Sequence, residues 1–478
     1  MDSVHTISFP VDLIPRWFEK QKLHSLTLRE QSVEQRIRKL RRMRQWIKRH
    51  RSSIQDAIYQ DFRKPRFETD GTEILVILQE INHTIKHLKE WDQPTKVGTP
   101  LILSGTSSWV QYEPKGVCLI ISPWNYPFQL LVSPWISAIA AGNCCILKPS
   151  EISPYTSELI FEMAAALFHP KEVLVVQGDK EVAEALLQQP FDHIFFTGST
   201  AVGKIIMKAA AEHLTSVTLE LGGKSPTLVD KSANIEVAAR KIAWGKFMNA
   251  GQTCIAPDYL LVQESVYNRL VGNLKNAIQK FYQTDGRPVA ESPDYARIIN
   301  QKHFERLRDA LEEAVTEGAK VVIGGQHQED SLFLAPTVLT SVPEDCTLMQ
   351  EEIFGPILPI KKYSTLEEAV DFINSRPKPL AQYIFSEKKR AIEYVIQHTS
   401  AGGMSVNDVV LHIVQPNLPF GGVNHSGIGK SHGHYGFLEF SNQKAVLEQN
   451  WGNTLMNVYY PPYTEPVRSM MDTLLRWF

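Results

Sequence analysis

Between residues 117 and 219 the chain repeats one pattern: a short apolar run, a helical stretch, then another apolar run. The runs are Val117-Cys118-Leu119-Ile120-Ile121, Cys144-Cys145-Ile146-Leu147, Val173-Leu174-Val175-Val176, Ile194-Phe195-Phe196 and Val217-Thr218-Leu219. A strand with one wet face alternates apolar and polar side chains. These runs do not alternate, so each is read as a strand buried on both faces, covered by the helices between them. The expected fold class is α/β, built on a parallel, doubly wound sheet. Such sheets bind ligands just beyond the carboxyl ends of their strands, and the polar motifs of this chain sit there.

The same style resumes after Leu221, with Tyr259-Leu260-Leu261-Val262, a helical stretch, and Val321-Val322-Ile323. This implies a second α/β domain, which a chain of 478 residues can accommodate. Residues 99–115 change in composition. There Leu101-Ile102-Leu103 and Trp109-Val110-Gln111-Tyr112 read as two short strands around Ser104-Gly105-Thr106. Upstream, Val33, Ile37, Leu40, Ile47, Ile54 and Ile58 fall near helical spacing, and a second helix is predicted over residues 72–91. Basic residues crowd the first of these, from Arg36 to Arg51. The interleaved apolar period favours a solvated helix face over an anion-binding patch. The formal charge of −2 also argues against nucleic acid as a partner.

The cysteines are Cys118, Cys144, Cys145, Cys254 and Cys346. Without C-x-x-C spacing they form neither a disulfide framework nor a zinc site, so no metal is expected and a reducing compartment is. Residues 1–13 lack the basic and apolar regions of a secretory signal. No run is apolar enough for long enough to span a bilayer. The expectation is a cytoplasmic protein, with a membrane surface as its closest approach to lipid.

Cys254 stands apart from the others. Asn249-Ala250-Gly251-Gln252-Thr253 precede it, which puts the thiol on a loop or tight turn. A lone cysteine is usually a small buried hydrophobe, but this one has company. Glu220 lies 254 − 220 = 34 residues earlier, at the end of an apolar strand and before Gly222-Gly223. A carboxylate there would be partly desolvated, which raises its pKa and suits it to act as a base; the simpler readings are an N-cap or an ion pair. Asn125, in Ser122-Pro123-Trp124-Asn125-Tyr126-Pro127, offers an amide donor for an oxyanion, though the same residues also make ordinary turns. Gly198-Ser199-Thr200-Ala201-Val202-Gly203 opens a helix, where backbone N–H groups can meet a phosphate. Thr200 stands where the usual dinucleotide fingerprint has its middle glycine.

Together these segments resemble the aldehyde dehydrogenase superfamily. Leu219-Glu220-Leu221-Gly222-Gly223-Lys224-Ser225-Pro226 matches its glutamate motif, and Gly251-Gln252-Thr253-Cys254 its cysteine motif. Leu147-Lys148-Pro149-Ser150-Glu151 and Glu351-Glu352-Ile353-Phe354-Gly355-Pro356 match its two cofactor-side segments. Pro419-Phe420-Gly421-Gly422 and Ser426-Gly427-Ile428-Gly429 match its C-terminal signature. The resemblance runs in order over roughly residues 25–465. The segment Asn407-Asp408-Val409-Val410-Leu411-His412-Ile413 and Tyr460-Pro461-Pro462-Tyr463 are similar to the class 3 and fatty aldehyde dehydrogenase branch.

The resemblance implies a Rossmann-like NAD(P)-binding domain over 1–93 and 115–221. It implies a catalytic domain over 222–427, a β bridging element over 94–114 and 428–446 that oligomerises the chain, and a tail over 447–478. It implies Cys254 as nucleophile, Glu220 as base and Asn125 as oxyanion donor. NAD or NADP would be held by Trp124, Lys148, Glu151, Gly198, Ser199, Gly203, Leu221, Glu352 and Phe354. Tyr126, His412 and Phe420 would line the substrate pocket. The implied activity is oxidation of medium- to long-chain, aromatic or isoprenoid aldehydes by a homodimer. Two alternatives remain: a CoA-acylating enzyme of the same fold, which usually lacks the water-activating acid, and a catalytically silent relative. The presence of Glu220, Cys254 and Asn125 speaks against both. At the C-terminus, Val467, Met470, Met471, Leu474, Leu475 and Phe478 fall on one helix face. That helix either docks on protein or, as the resemblance suggests, serves as a substrate-tunnel flap or a weak membrane foot.

Overall fold

The computed structural model describes residues 8–283, 286–450, 452 and 455–477; Phe478 of the C-terminal face lies outside them. A six-stranded sheet runs in the order Gly427–Ile428, Ser216–Leu221, His193–Gly198, Val117–Ile121, Cys144–Lys148, Val173–Val175. All pairings are parallel except that of Gly427–Ile428. Successive side chains of one strand enter different cores: Cys118 and Ile120 pack on one side, and Val117, Leu119 and Ile121 on the other. That is why the run is continuously apolar. The helix Gln129–Ala141 is buried at every residue beneath the sheet.

The periodic stretch over 33–58 is two helices, Val33–Arg49 and Arg51–Phe62, rather than one. The chain leaves helical geometry at His50, whose backbone N–H and ring Nδ1 both turn onto the Trp46 carbonyl, the ring contact at 2.8 Å. The basic residues divide. Arg36 is buried against Asp92 and the Ala140 carbonyl, both at 2.6 Å, while Arg38, Arg41 and Lys48 face solvent. The helix over 72–91 starts with a wide turn, Asp70–Ile74, and continues as Leu75–Trp91.

A seven-stranded sheet follows, in the order Lys320–Ile323, Thr337–Thr340, Ile357–Tyr363, Tyr259–Gln263, Pro226–Val229, Ala381–Phe385, Gly403–Val406. It is parallel apart from its first strand.

The third sheet is antiparallel: Thr95–Val97, Thr106–Pro114 and Ser441–Gln449. Its composition differs from the sequence expectation. Leu101-Ile102-Leu103 is a tight helical turn after Pro100, and the strand beside Trp109 and Val110 is Thr95–Val97. An apolar triplet with no buried surface to cover it takes the turn that Pro100 begins; Leu101 is 83% exposed. The long edge strand Ser441–Gln449 carries mostly exposed side chains. The C-terminal helix is Glu465–Trp477, with Pro466 in its first turn and Leu475 exposed.

Candidate active site

Strand Val117–Ile121 ends in Ser122-Pro123-Trp124-Asn125, which carries the chain over the carboxyl edge of the first sheet. Asn125 is buried there, and its side-chain amide donates to the Gln252 carbonyl at 3.1 Å. Asn249 returns the contact, donating from its own amide to the Asn125 carbonyl at 2.9 Å. The loop between helix Ile235–Phe247 and Cys254 is unusually tight. Asn249, Ala250 and Gly251 have φ of 56, 50 and 72°. This left-handed run is costly for residues with a Cβ. Gln252 offsets the cost: its Nε2 donates to the carbonyls of Asn249 and Arg297, and its Oε1 accepts the Ile299 N–H, all within 3.0 Å. Glycine is required at 251, because a Cβ would come within 2.3 Å of the Gly355 carbonyl. Thr253 is hydrogen-bonded to the Tyr126 hydroxyl at 2.6 Å. Cys254 therefore emerges from a backbone fixed on every side.

Glu220 ends strand Ser216–Leu221, level with Thr197 on one neighbour and Gly427 on the other. Its carboxyl accepts hydrogen bonds from the Ser431 hydroxyl and, at 3.4 Å, from Thr197. Burial pushes it up to about 7, against the pull of those hydroxyls. Glu352 is partly buried. A Cβ on Gly222 would meet its carboxylate at 2.0 Å, so glycine here lets the Glu352 carboxylate lie against the Leu221-Gly222-Gly223 turn. Burial and the nearby Asp258 push Glu352 up to about 8. Burial also pushes the Cys254 thiol far above its ordinary value. The charges of Glu352 and Glu220 add to this, and the N–H groups of Cys254 and Ile255 oppose it. The Cys254 thiol thus lies beside two carboxyls whose neutral forms burial favours.

The expected cofactor residues gather on the same edge. Lys148 ends strand Cys144–Lys148 almost fully buried, and its ammonium meets the half-exposed Glu151 at 3.0 Å. Ser199 caps helix Thr200–Ala211 by accepting the Val202 N–H, and Gly203 lies so close to Leu221 that a Cβ would meet its side chain at 2.7 Å. A buried cation with an outward carboxylate, next to the positive end of a helix, is a donor set that fits a dinucleotide. Phe354 sits edge-on to Trp124 with ring centroids 5.4 Å apart, and its φ is 48°.

A cavity of about 440 Å³ opens onto Cys254 from the other side. Its wall is mostly apolar, with Leu130, Trp244, Met248, Phe281, Val410 and Ile413 among the lining. Tyr126 lines it as expected. His412 and Phe420 are not in the lining: Leu411 and Ile413 face the cavity, and the residue between them faces away. His412 instead bonds Ser405 at 3.2 Å and lies beside Phe420, which stacks on His432 at 5.1 Å. These rings back the wall rather than form it.

The sequence alone assigns no role to several residues of this site. Gln252 and Asn249 clamp the cysteine loop, Thr197 and Ser431 hold Glu220, and Glu68 lines the cavity. Strand register carried a signal for Thr197, which ends the neighbouring strand level with Glu220. Ser431 had none, because the C-terminal segment reaches Glu220 from 431 − 220 = 211 residues away. Among the described residues no cluster of metal-ligating side chains occurs, and no helix is long and apolar enough to cross a membrane.

The model of the aldehyde dehydrogenase family matches residues 18–446. The chain is 44% identical over 453 residues to the 4,4'-diaponeurosporen-aldehyde dehydrogenase of Staphylococcus aureus, covering 95% of this chain and 97% of that one. It is 44% identical over 438 residues to aldehyde dehydrogenase family 3 member A2 of Rattus norvegicus, covering 91% and 89% respectively. Among solved structures, substrate-bound AldH of Staphylococcus aureus matches with a TM-score of 0.92 at 43% identity, over 96% of this chain and 99% of the other. With its glutamate and glycine-turn motifs on one sheet edge and its cysteine loop bonded to the Asn125 segment there, the chain belongs to the aldehyde dehydrogenase family.

Proposed function

We propose that this NAD(P)-dependent enzyme oxidises medium- to long-chain aliphatic, aromatic or isoprenoid aldehydes to carboxylic acids through a thioester on Cys254. The observation that carries this reading is the apolar cavity ending at Cys254, with Glu220 and Asn125 on the cofactor side. Cys254 gives up its proton to solvent water and its sulfur attacks the aldehyde carbon. The second N–H of the Asn125 amide and the backbone N–H of Cys254 receive the oxyanion. When bound, NAD or NADP would supply the acceptor for the hydride of the substrate carbon. Lys148 and Glu151 would hold the adenosine ribose, Ser199 and the turn from Gly198 to Gly203 the pyrophosphate, and Glu352 the nicotinamide ribose. Leu221, Trp124 and Phe354 would pack near the ring. Glu220 then takes a proton from water, whose oxygen attacks the thioester and frees the thiol and the acid. That Glu220 is in place favours hydrolysis over transfer to CoA. Rapid mixing with a long aldehyde and NAD or NADP should show reduced cofactor and an acyl adduct on Cys254. No reduction with any of a panel of short, long, aromatic and isoprenoid aldehydes would reject the reading.

The C-terminal helix Glu465–Trp477 has Met470, Leu474 and Leu475 exposed, and none of its described residues lines the chain's own cavity. In a homodimer assembled along the exposed Ser441–Gln449 edge, this helix would cover apolar substrate or touch a membrane surface weakly. Each buried methylene contributes roughly 0.8 kcal/mol. Truncation after Thr464 should therefore lower kcat/KM for long aldehydes by about one or two orders of magnitude and spare short ones. Equal losses would make the helix purely structural.

A further inference from the structure

The cavity in front of Cys254 is apolar, yet its ionisable lining is one-sided. Glu68 and Asp294 stand in its wall, and among the described residues no lysine, arginine or histidine lines it. Asp294 is exposed at the mouth. Glu68 lies deeper, partly open to the cavity, and its Oε1 accepts the Asn249 N–H at 2.7 Å. It is thereby fixed against the first left-handed residue of the cysteine loop. The nearest cation is Lys64, which is fully buried, paired with Glu73 at 2.8 Å, and 3.9 Å from the centre of the Tyr126 ring. Glu73 in turn accepts the N–H groups of Phe128 and Gln129, so the charge of Lys64 is already matched. The phenols of Tyr126, Tyr282 and Tyr295 also feel Glu68, but they are neutral at physiological pH. The ionisable side chains that line the cavity are therefore acidic.

We propose that Glu68 makes this cavity discriminate by charge, admitting uncharged aldehydes while repelling anionic ones and the carboxylate product. The inference rests on the aldehyde-oxidising reading above. The reaction turns a neutral substrate into an anion in place, and a fixed negative charge on the wall favours departure of that anion. A carboxylate felt across roughly 10 Å of partly desolvated space shifts anion binding by about three- to tenfold. Burial pushes Glu68 up to about 7, with Lys64 pulling it down and Glu73 and Asp294 pushing it up, so the repulsion should fade as pH falls through neutrality.

The test is E68Q, whose amide oxygen can still accept the Asn249 N–H while the charge is gone. An uncharged aliphatic aldehyde and one of equal length ending in a carboxylate are compared as substrates. The neutral-to-anionic ratio of kcat/KM is expected to fall about three- to tenfold in E68Q. D294N, at the solvated mouth, should give a smaller change that salt abolishes. In wild type, inhibition by an alkanoate ionised throughout should be tighter at pH 6 than at pH 8, and E68Q should flatten this difference. An unchanged ratio in folded, active E68Q overturns the proposal. If E68Q does not fold, an alkanoate constant indifferent to pH in wild type overturns it instead. Failure of every aldehyde to react would reject the underlying reading, a different result.

Discussion

The loops that carry Cys254 and Glu220 meet at one site but are built on opposite plans. The cysteine loop is clamped through its backbone: Gln252 joins it to Arg297 and Ile299, Asn249 to Asn125, and Glu68 holds its first N–H. Glu220 is clamped by nothing comparable. Its strand is fixed, but its carboxyl is held by two hydroxyls, on Ser431 and Thr197, beside a small void shared with Gln129 and His432. A nucleophile that must meet a carbon at bonding distance gains from fixed geometry. A base that must receive a water and take its proton gains from partners that can reorient, as hydroxyls do.

The strongest way to break this contrast is to remove the sulfur. Cys254→Ala is expected to abolish turnover, by three or more orders of magnitude, with NAD(P) binding measured by fluorescence titration largely retained. Turnover near wild type would leave the clamped loop without a purpose. Glu220→Gln should lower steady-state turnover by roughly two to four orders of magnitude, yet still reduce about one cofactor per site before stalling. Rapid-mix absorbance with intact mass is the measurement. A missing burst would mean that Glu220 is also needed to deprotonate Cys254, and the two loops would then be less separate than their construction implies.

Smaller effects sharpen the comparison. Gln252→Ala removes bonds from a buried loop in strained conformation and should cost about 2–4 kcal/mol of stability, read from denaturant unfolding, with kcat falling together with stability. Ser431→Ala should leave stability within about 1 kcal/mol but move a pH profile. The hydroxyl lowers the Glu220 pKa, so its loss raises it. The base is active when deprotonated, so the acidic limb of kcat, expected near pH 7 in wild type, should shift to higher pH in the variant. Activity at pH 6.5 then falls several-fold and at pH 9 hardly changes. A Gln252 variant that shifted the limb, or a Ser431 variant that lost stability without shifting it, would reverse the assignment of the two plans.

What could be read from the sequence follows from the same physics. Strands buried on both faces announce themselves as continuous apolar runs, so the five parallel strands of the first sheet were legible, while the short antiparallel strand Gly427–Ile428 carried no such run. Glu220 and the Gly198 turn were legible because each joins a reactive or conformationally special residue to a strand end, and Cys254 because small and polar residues place its thiol on a tight loop. Leu101-Ile102-Leu103 was misread because short apolar triplets look alike in strands and turns, and only a partner decides between them. The place of His412 depends on which face of the chain after Gly403–Val406 meets the cavity, and the sequence alone does not phase that segment. Ser431 and Glu68 act through contacts made far along the chain, and no local pattern marks such contacts.

The antiparallel strand Gly427–Ile428 joins the first sheet beside Glu220 some two hundred residues after the rest of that sheet has been synthesised. A ribosome that has released everything through Phe420 has made the nucleophile, the base and the glycine turn. It has not yet made Ser431 or the strand that seals the edge. The nascent chain therefore holds Cys254 and Glu220 in an unfinished niche until the segment after Phe420 has been added.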